Sequence, residues 1–359
     1  MMYVDFFYGK TVLVTGHTGF KGSWLSLWLE NLGAKVIGFA LDPYTTSDNF
    51  VISKLSNRMT DIRGDVRNLD DLSSVVKKYD PEIIFHLAAQ PLLTLSYKIP
   101  RETVETNVMG TVNVLEAFRK SKRARTLIVV TSDKCYENRE WVYGYREIDP
   151  LGGYDPYSSS KAAAELIVSA YIRSFLNPDN YDSHRKVVAT VRAGNVLGGG
   201  DWREGRILPD CIRAIESDKE MIIRNPDSVR PWQFVLEPLN GYLLLASMMH
   251  NDPKRYSGSW NFGPAANSII TVRKLAEKVI KYYGKGSMKE IQNKADLHES
   301  KLLNLDISKA TYLLGWKPKL NIDETIKMTV EWYKNYKNES IESLIERQII
   351  GFATLSRED

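Results

Sequence analysis

The sequence predicts an α/β fold: a doubly wound parallel sheet, with a smaller α+β part toward the C-terminal end. Three observations point there. Short β-branched runs alternate with longer segments of helical period through the first half of the chain, which is the pattern of successive βαβ units. A glycine-rich turn stands directly between the first such run and the first helical segment. After about residue 195 the texture changes, and glycine- and proline-containing loops separate shorter helices and isolated strand-like pieces.

Six runs read as strands: "TVLVTG", "KVIGFAL", "MTDIRGD", "EIIFHLAA", "TLIVVTS" and "KVVATVRAG". Between them, "GSWLSLWLENLG", "NLDDLSSVVKKYD" and "VETNVMGTVNVLEAFRKS" carry helical period, the first closed by Gly33 as a C-terminal cap. Beyond residue 195, "GNVLGGGDW", "IRNPDSVRPW" and "NFGPAANS" read as loops. "EPLNGYLLLASMMH" is strongly helical and is expected to return to the first part of the chain. The final "ERQIIGFATLSRED" shows no clear period and receives no assignment.

At 359 residues the chain has room for two packed domains or one large α/β unit. Its 43% hydrophobic and 26% charged residues suit a soluble globular protein with no low-complexity tract. A net charge of +4, with basic and acidic residues interleaved, gives no basic stripe of the kind that binds nucleic acid. Cys135 and Cys211 have neither C-x-x-C spacing nor neighbouring histidines, so a disulfide-free cytoplasmic protein with no metal site is expected. "MMYVDFFYGK" lacks the basic start and long apolar core of a signal peptide. No run approaches the roughly 18 to 20 apolar residues that cross a bilayer.

In "TVLVTGHTGFKGSWL", Gly16, Gly19 and Gly22 are spaced G-x-x-G-x-x-G after a strand and before a helix. Glycine lets the backbone turn sharply and approach a diphosphate, and the amides opening the helix supply donors, so a Rossmann-type dinucleotide site is expected. Asp42 stands twenty residues beyond Gly22 at the end of the second strand. An acid there accepts from the adenosine ribose hydroxyls and repels a 2′-phosphate, favouring NAD over NADP; the alternative is a solvated turn acid before Pro43. Asp65, at the next strand end, suits the adenine amine or a helix N-cap.

Tyr157 and Lys161 lie at i and i+4 in "YDPYSSSKAAAELIV", hence on one helix face. A phenol has a reference pKa of about 10, and a nearby ammonium is expected to lower it. On a surface helix the same pair would only be a snorkelling one. "TSDKCYEN" ends the fifth strand in Ser132, Asp133 and Lys134, a hydroxyl, a carboxylate and an amine in succession. A capped strand end with a surface ion pair is the bland reading of that triplet, but adjacent strand residues point to opposite faces.

The strings "GHTGFKGSWL", "HLAAQP", "TNVMGTVNVLEA", "SDKCYEN", "GGYDPYSSSKAAAEL", "GNVLGGGDW", "RPWQFVLEPLNGYL", "WNFGP" and "LGWKP" together resemble the extended short-chain dehydrogenases/reductases. More narrowly they resemble the nucleotide-sugar 4,6-dehydratases, and among these the enzymes whose substrate is CDP-glucose. The resemblance implies NAD as cofactor, held by Gly16, Thr18, Gly19, Phe20, Lys21, Gly22, Asp42, Asp65, Val66, Leu87, Ala88, Ala89, Tyr157 and Lys161. It implies substrate contacts at Gln90, Asn107, Asn195, Arg206 and Arg230. Residues 1–194 plus about 229–250 would form the NAD-binding domain, and about 195–228 plus 251–359 the nucleotide-sugar-binding domain.

The chemistry implied is oxidation at C4, loss of water across C5 and C6, and return of hydride to C6, in bacterial deoxysugar synthesis. Tyr157 would take the 4-hydroxyl proton, assisted by Lys161 and Ser132, and Asp133 would protonate the departing 6-hydroxyl. Relatives acting on dTDP-glucose often carry glutamate where this chain has Lys134. An amine is a base only when neutral, so Lys134 is either a base with a depressed pKa or a charged stabiliser with another group as base. Phe234 replaces a frequent histidine and Thr94 a frequent arginine, both in segments that could touch substrate. A homodimer or homotetramer is implied, through the helices around "TVETNVMGTVNVLEAF" and "SSKAAAELIVSAYIRSF", whose apolar stripes could equally be ordinary core. A nucleotide-sugar 4-epimerase would share the glycine turn, serine and Tyr-x-x-x-Lys but has no use for Asp133. A non-catalytic NAD-sensing protein would have no need of an intact Ser132, Tyr157 and Lys161.

Overall fold

A computed structural model describes residues 3–265, 268–291 and 302–355. Seven parallel strands form the central sheet: β1 (Thr11–Thr15), β2 (Lys35–Ala40), β3 (Thr60–Arg63), β4 (Ile83–His86), β5 (Thr126–Val130), β6 (Val187–Ala193) and β10 (Gly258–Phe262). Their order is β10-β6-β5-β4-β1-β2-β3. The order reverses between β1 and β4, and a doubly wound sheet binds ligands beyond the carboxyl ends of its strands at such a switch point. The glycine turn follows β1 at that switch point, and the Ser132–Lys134 triplet follows β5, one strand beyond β4.

Strands β1, β2, β4, β5 and β6 bury both faces, which is why they read as nearly continuous apolar runs, while the edge strand β3 stays partly exposed. Val12 and Val14 of β1 join one core cluster while Leu13 joins the other. Helix α1 (Phe20–Asn31) covers the first face with Trp24, Leu25, Trp28 and Leu29. Gly33 ends it at φ +76°, donating to the Glu30 carbonyl at 2.9 Å as expected of the cap. The other face is covered by α2 (Leu69–Tyr79), α3 (Gly110–Lys120) and α4 (Pro156–Ser174). The Asn68 side chain accepts from the amides of Asp70 and Asp71 to open α2. A π turn over Glu105–Met109 leads into α3.

Beyond β6 a smaller three-stranded sheet, ordered β11-β9-β7, joins β7 (Asn195–Leu197), β9 (Val229–Phe234) and β11 (Ile269–Thr271). Strands β8 (Met221–Ile223) and β12 (Met288–Glu290) form a two-stranded pair. Helix α5 (Ile207–Glu216) follows the glycine loop after β7, and α6 (Leu236–Asn251) is buried along nearly its whole length against the main sheet. The three remaining long helices are α7 (Val272–Tyr283), α8 (Ile322–Asn335) and α9 (Ile341–Thr354).

Two expectations need correction. The sheet's seventh strand, β10, comes from a segment expected to belong to the other domain; it pairs with β6 from Gly258↔Ala189 to Phe262↔Ala193. The unassigned tail is helical as far as Thr354: Leu344, Ile345, Gln348, Ile349 and Phe352 form one buried stripe of α9, and Phe352 sits edge-on to Trp28 with ring centroids 5.9 Å apart. The period was present, but polar Gln348 interrupts it.

Candidate active site

A cavity of about 550 Å³ opens at the switch point and runs from the glycine turn to the loop after β7 and to strand β9. It is lined by Gly16, Thr18, Gly19, Phe20, Lys21, Gly22, Asp42, Asp65, Val66, Leu87, Ala88 and Ala89 on one side. Ser132, Asp133, Lys134, Tyr157, Lys161, Asn195, Arg206 and Arg230 also line it.

The three glycines of the turn have different reasons. Gly16 has φ +77°, and a Cβ there would lie 2.7 Å from the Ala88 amide nitrogen. A Cβ on Gly22 would lie 2.1 Å from the Gly16 carbonyl oxygen, so the helix can start this close to the strand only without a side chain. Gly19 is different: its Cβ would meet only the Gly16 carbonyl, at 3.3 Å, and its surface is open to the cavity. As N-cap of α1 it makes no side-chain cap bond. That open, dipole-bearing helix start fits a dinucleotide diphosphate. Asp42 stands exposed at the cavity's rim with Arg63 Nε 3.2 Å from its carboxylate, and Asp65 is held by Arg67 at 2.6 Å.

The catalytic candidates converge from β5 and α4. Strand β5 ends at Val130, and Asp133–Cys135 form a single 3₁₀ turn capped by Ser132, whose Oγ accepts from the Lys134 amide at 3.2 Å. Strand alternation is therefore broken before the triplet. Asp133 is buried while Lys134 is half-buried, and both line the same cavity. Ser132 Oγ donates to Asp133 Oδ1 at 2.9 Å. Burial raises the Asp133 pKa, against the charge of Lys134, the Ser132 hydrogen bond and the charges of Lys21 and Arg230.

Tyr157 and Lys161 are both buried, one turn apart on α4. Burial pushes the Tyr157 hydroxyl up to about 12, opposed by a hydrogen bond with Ser132 and by the charge of Arg206. The expected lowering by Lys161 is not what this geometry gives: the lysine donates instead to the Val130 carbonyl at 3.3 Å. Burial, and next the Lys21 ammonium, bring Lys161 itself down to about 8. Lys21 is brought to about 8 by burial and by Arg206, with Asp133 opposing. Lys21 thus shares its electrostatic surroundings with the catalytic groups as well as with the phosphate turn.

Two expected substrate contacts are not brought to the cavity. The Asn107 amide donates to the Gln90 carbonyl at 3.1 Å and to Ser160 Oγ at 2.9 Å, and its oxygen accepts from the Gln90 amide at 2.8 Å. The Gln90 side chain folds back on Leu92 and Thr103. Both residues shape the loop after β4 and neither lines the cavity. Phe234 is fully buried against Trp24, with ring centroids 6.4 Å apart, so its difference from histidine is a matter of core packing. Thr94 is exposed and outside the lining.

Arg206 lines the cavity while paired with Asp201 at 2.7 Å, and Arg230 lines it from β9. Sequence reasoning missed Tyr44 and Arg203, whose ring and guanidinium stack 3.8 Å apart at the cavity, and Trp232, which lines it with a buried indole N–H that has no partner among the described residues. "RPW" was the available signal for Trp232.

Comparison with known proteins fits this geometry. A family model described as GDP-mannose 4,6 dehydratase matches residues 13–329. CDP-glucose 4,6-dehydratase of Salmonella typhimurium is 48% identical over 330 residues, 92% of each chain. CDP-paratose 2-epimerase of Salmonella typhi is 27% identical over 348 residues, 89% of this chain and 98% of that one. Among solved structures, dTDP-glucose 4,6-dehydratase of Bacillus anthracis in complex with NAD superposes with a TM-score of 0.75 at 25% identity, covering 92% of this chain and 98% of that chain.

Proposed function

The chain belongs to the GDP-mannose 4,6 dehydratase family of extended short-chain dehydrogenases/reductases, and we propose that it converts CDP-glucose to CDP-4-keto-6-deoxyglucose by 4,6-dehydration. The observation that carries this reading is Asp133: a buried carboxyl, raised in pKa, hydrogen-bonded to Ser132 in the cavity that also holds Tyr157 and Lys161. Oxidation at C4 alone needs a base and an oxyanion partner. Only the departure of a hydroxyl needs a second, protonated acid at neutral pH.

When bound, NAD supplies the hydride acceptor for C4 and the hydride donor for C6, and is restored in each turnover. Tyr157 takes the proton of the 4-hydroxyl, with Ser132 hydrogen-bonded at the developing ketone oxygen. The ketone acidifies C5: a base on that side, Lys134 or a water beside it, takes the C5 proton while Asp133 gives its own proton to O6 as the C6–O6 bond breaks and water leaves, and the C5 proton is returned as hydride returns to C6. Lys134 faces the C5 side of that elimination. Lys134 and Asp133 line the same cavity side by side, so whatever acts at C5 shares the surroundings of the acid that serves O6. Arg230, Arg206 and Asn195 take the nucleotide diphosphate, an assignment supported by arginine's match to phosphate oxygens.

Exposed Val104, Met109, Leu166 and Phe175, on the helices expected to mediate assembly, support a homo-oligomer. Among the described residues no helix is long and apolar enough to cross a membrane. The test of function is a mass spectrum of CDP-glucose after incubation with the protein and a trace of NAD. Loss of one water is expected. An isomer of unchanged mass would make the chain an epimerase, and no reaction with CDP-, dTDP-, GDP- or UDP-glucose would return it to the binding proteins.

A further inference from the structure

Helix α4 carries a third ionisable residue on the face that bears Tyr157 and Lys161. Glu165 is one further turn along at i+8, and its side chain is 1% exposed. These three residues hold three consecutive residues at the end of β5. Tyr157 shares a hydrogen bond with Ser132, Lys161 donates to the Val130 carbonyl at 3.3 Å, and Glu165 Oε1 accepts from Thr131 Oγ1 at 2.5 Å. The residue clamped by Glu165 therefore lies between the carbonyl that fixes Lys161 and the hydroxyl that serves Tyr157.

The carboxylate is anchored from two further strands. Arg192 of β6 pairs with it through Nε at 2.9 Å and Nη2 at 2.8 Å, and Thr190 of β6 and Ser259 of β10 donate to it at 2.7 and 3.2 Å. Arg192 in turn donates to Tyr136 Oη at 2.7 Å, and Tyr136 to Asn261 at 2.8 Å. A buried ion pair this fully hydrogen-bonded gives poor evidence of added stability but good evidence of fixed geometry. It lies outside the cavity lining, so it does not touch substrate.

We propose that Glu165 is a positioning residue of the catalytic centre, acting through Lys161 and Thr131 by locking α4 in register on the end of β5 and by facing the lysine ammonium with a fixed negative charge. Lys161 is faced by Lys21 from α1, His86 from β4, Cys135 from the turn after β5, and Glu165 from its own helix. Glu165 is faced by Arg192 and Cys135, with Glu147, Lys309 and Tyr136 around the arginine. Burial and Lys21 lower the pKa of Lys161, and Glu165 is the first group that opposes them. Without its charge the ammonium is lost at lower pH. The inference rests on the dehydratase reading for its kinetic consequence only.

The test is therefore read in two ways. The pH dependence of Lys161 acylation by acetic anhydride, which transfers acetyl to the neutral amine and releases acetate, mapped by peptide mass spectrometry, needs no substrate. In Glu165→Gln the labelling curve is expected to move down by about half a pH unit or more, with Glu165→Asp restoring it. On CDP-glucose, kcat is expected to fall about tenfold with its alkaline limb displaced alike and KM nearly unchanged. If Glu165→Gln leaves Arg192 too costly to bury, Glu165→Gln/Arg192→Gln carries the same expectation. Thr131→Val keeps both charges and should lower kcat without moving the labelling curve. A labelling curve that superposes on the parent's, or full kcat in Thr131→Val, overturns the proposal. Parent protein inert toward CDP-glucose, with the labelling shift intact, would sink the dehydratase reading alone.

Discussion

Replacing Asp133 by asparagine separates the two halves of the reaction. The amide is isosteric, and its oxygen can still accept from Ser132 Oγ, 2.9 Å away in the parent, so the position of the side chain is kept. The proton to be given to O6 is lost. General acid catalysis by a positioned side chain is worth about 10²–10⁴-fold, or roughly 3–5 kcal/mol of barrier at 1.36 kcal/mol per decade. Burial raises the Asp133 pKa, the direction a proton donor needs, and a fall in kcat of about 10²–10³ is expected. Oxidation at C4 depends on Tyr157, Lys161 and Ser132 and should survive. Rapid mixing of the variant, NAD and CDP-glucose should show a burst of reduced nicotinamide absorbance at nearly the parent's rate, followed by slow formation of dehydrated product. Equal slowing of the burst and of product formation would refute the assignment of Asp133 to the C6 oxygen.

Stability should move the opposite way. A carboxyl whose folded pKa is raised favours the fold below its unfolded pKa and loses that contribution as pH rises through the folded value, so Asp133→Asn should melt higher than the parent at neutral pH, by a margin that shrinks in acid. Gly22→Ala places a Cβ 2.1 Å from the Gly16 carbonyl; a loss of about 1–3 kcal/mol in denaturant titration, with loss of NAD binding, is expected. Gly19→Ala should instead keep the parent's melting temperature and weaken NAD binding alone, because its Cβ meets only one protein atom, at 3.3 Å. Asp42→Asn beside Arg63 should narrow the preference for NAD over NADP by about tenfold, one charged contact of roughly 1.4 kcal/mol, in the ratio of the two cofactors' dissociation constants.

Local spacing carried most of what could be read without coordinates. The glycine turn needs only three positions and a neighbouring strand, and the Tyr157–Lys161 pair needs only one helical turn, so both are where the sequence places them. Contacts between distant segments were not legible. Asn107 and Gln90 have the donors and acceptors of sugar-binding residues, yet the Asn107 amide is used on the Gln90 backbone seventeen positions away and the Gln90 amide on Leu92 and Thr103. Nothing in "WNFGP" says that it will pair with β6 as the seventh strand instead of remaining with its neighbours in sequence. Phe234 shows the same limit: a departure from a family pattern looks like altered specificity until its burial against Trp24 is known.

The Ser132-Asp133-Lys134 triplet shows why burial had to be seen before chemistry could be assigned. Alternation along a strand would have sent Asp133 and Lys134 to opposite faces, and a surface location would have made them an ordinary ion pair. The strand stops at Val130 instead, and one 3₁₀ turn places both in the cavity at different depths. At the deeper position a carboxyl loses hydration and is raised; at the shallower one an ammonium keeps water on one side while its field reaches the carboxyl. The lysine then limits how far burial can raise the acid. Exchanging it for glutamate would remove that restraint and add a like charge, so Lys134→Glu should shift the descending limb assigned to Asp133, where its proton is lost, to higher pH, and a limb that stays in place would show that the two side chains do not share one electrostatic site.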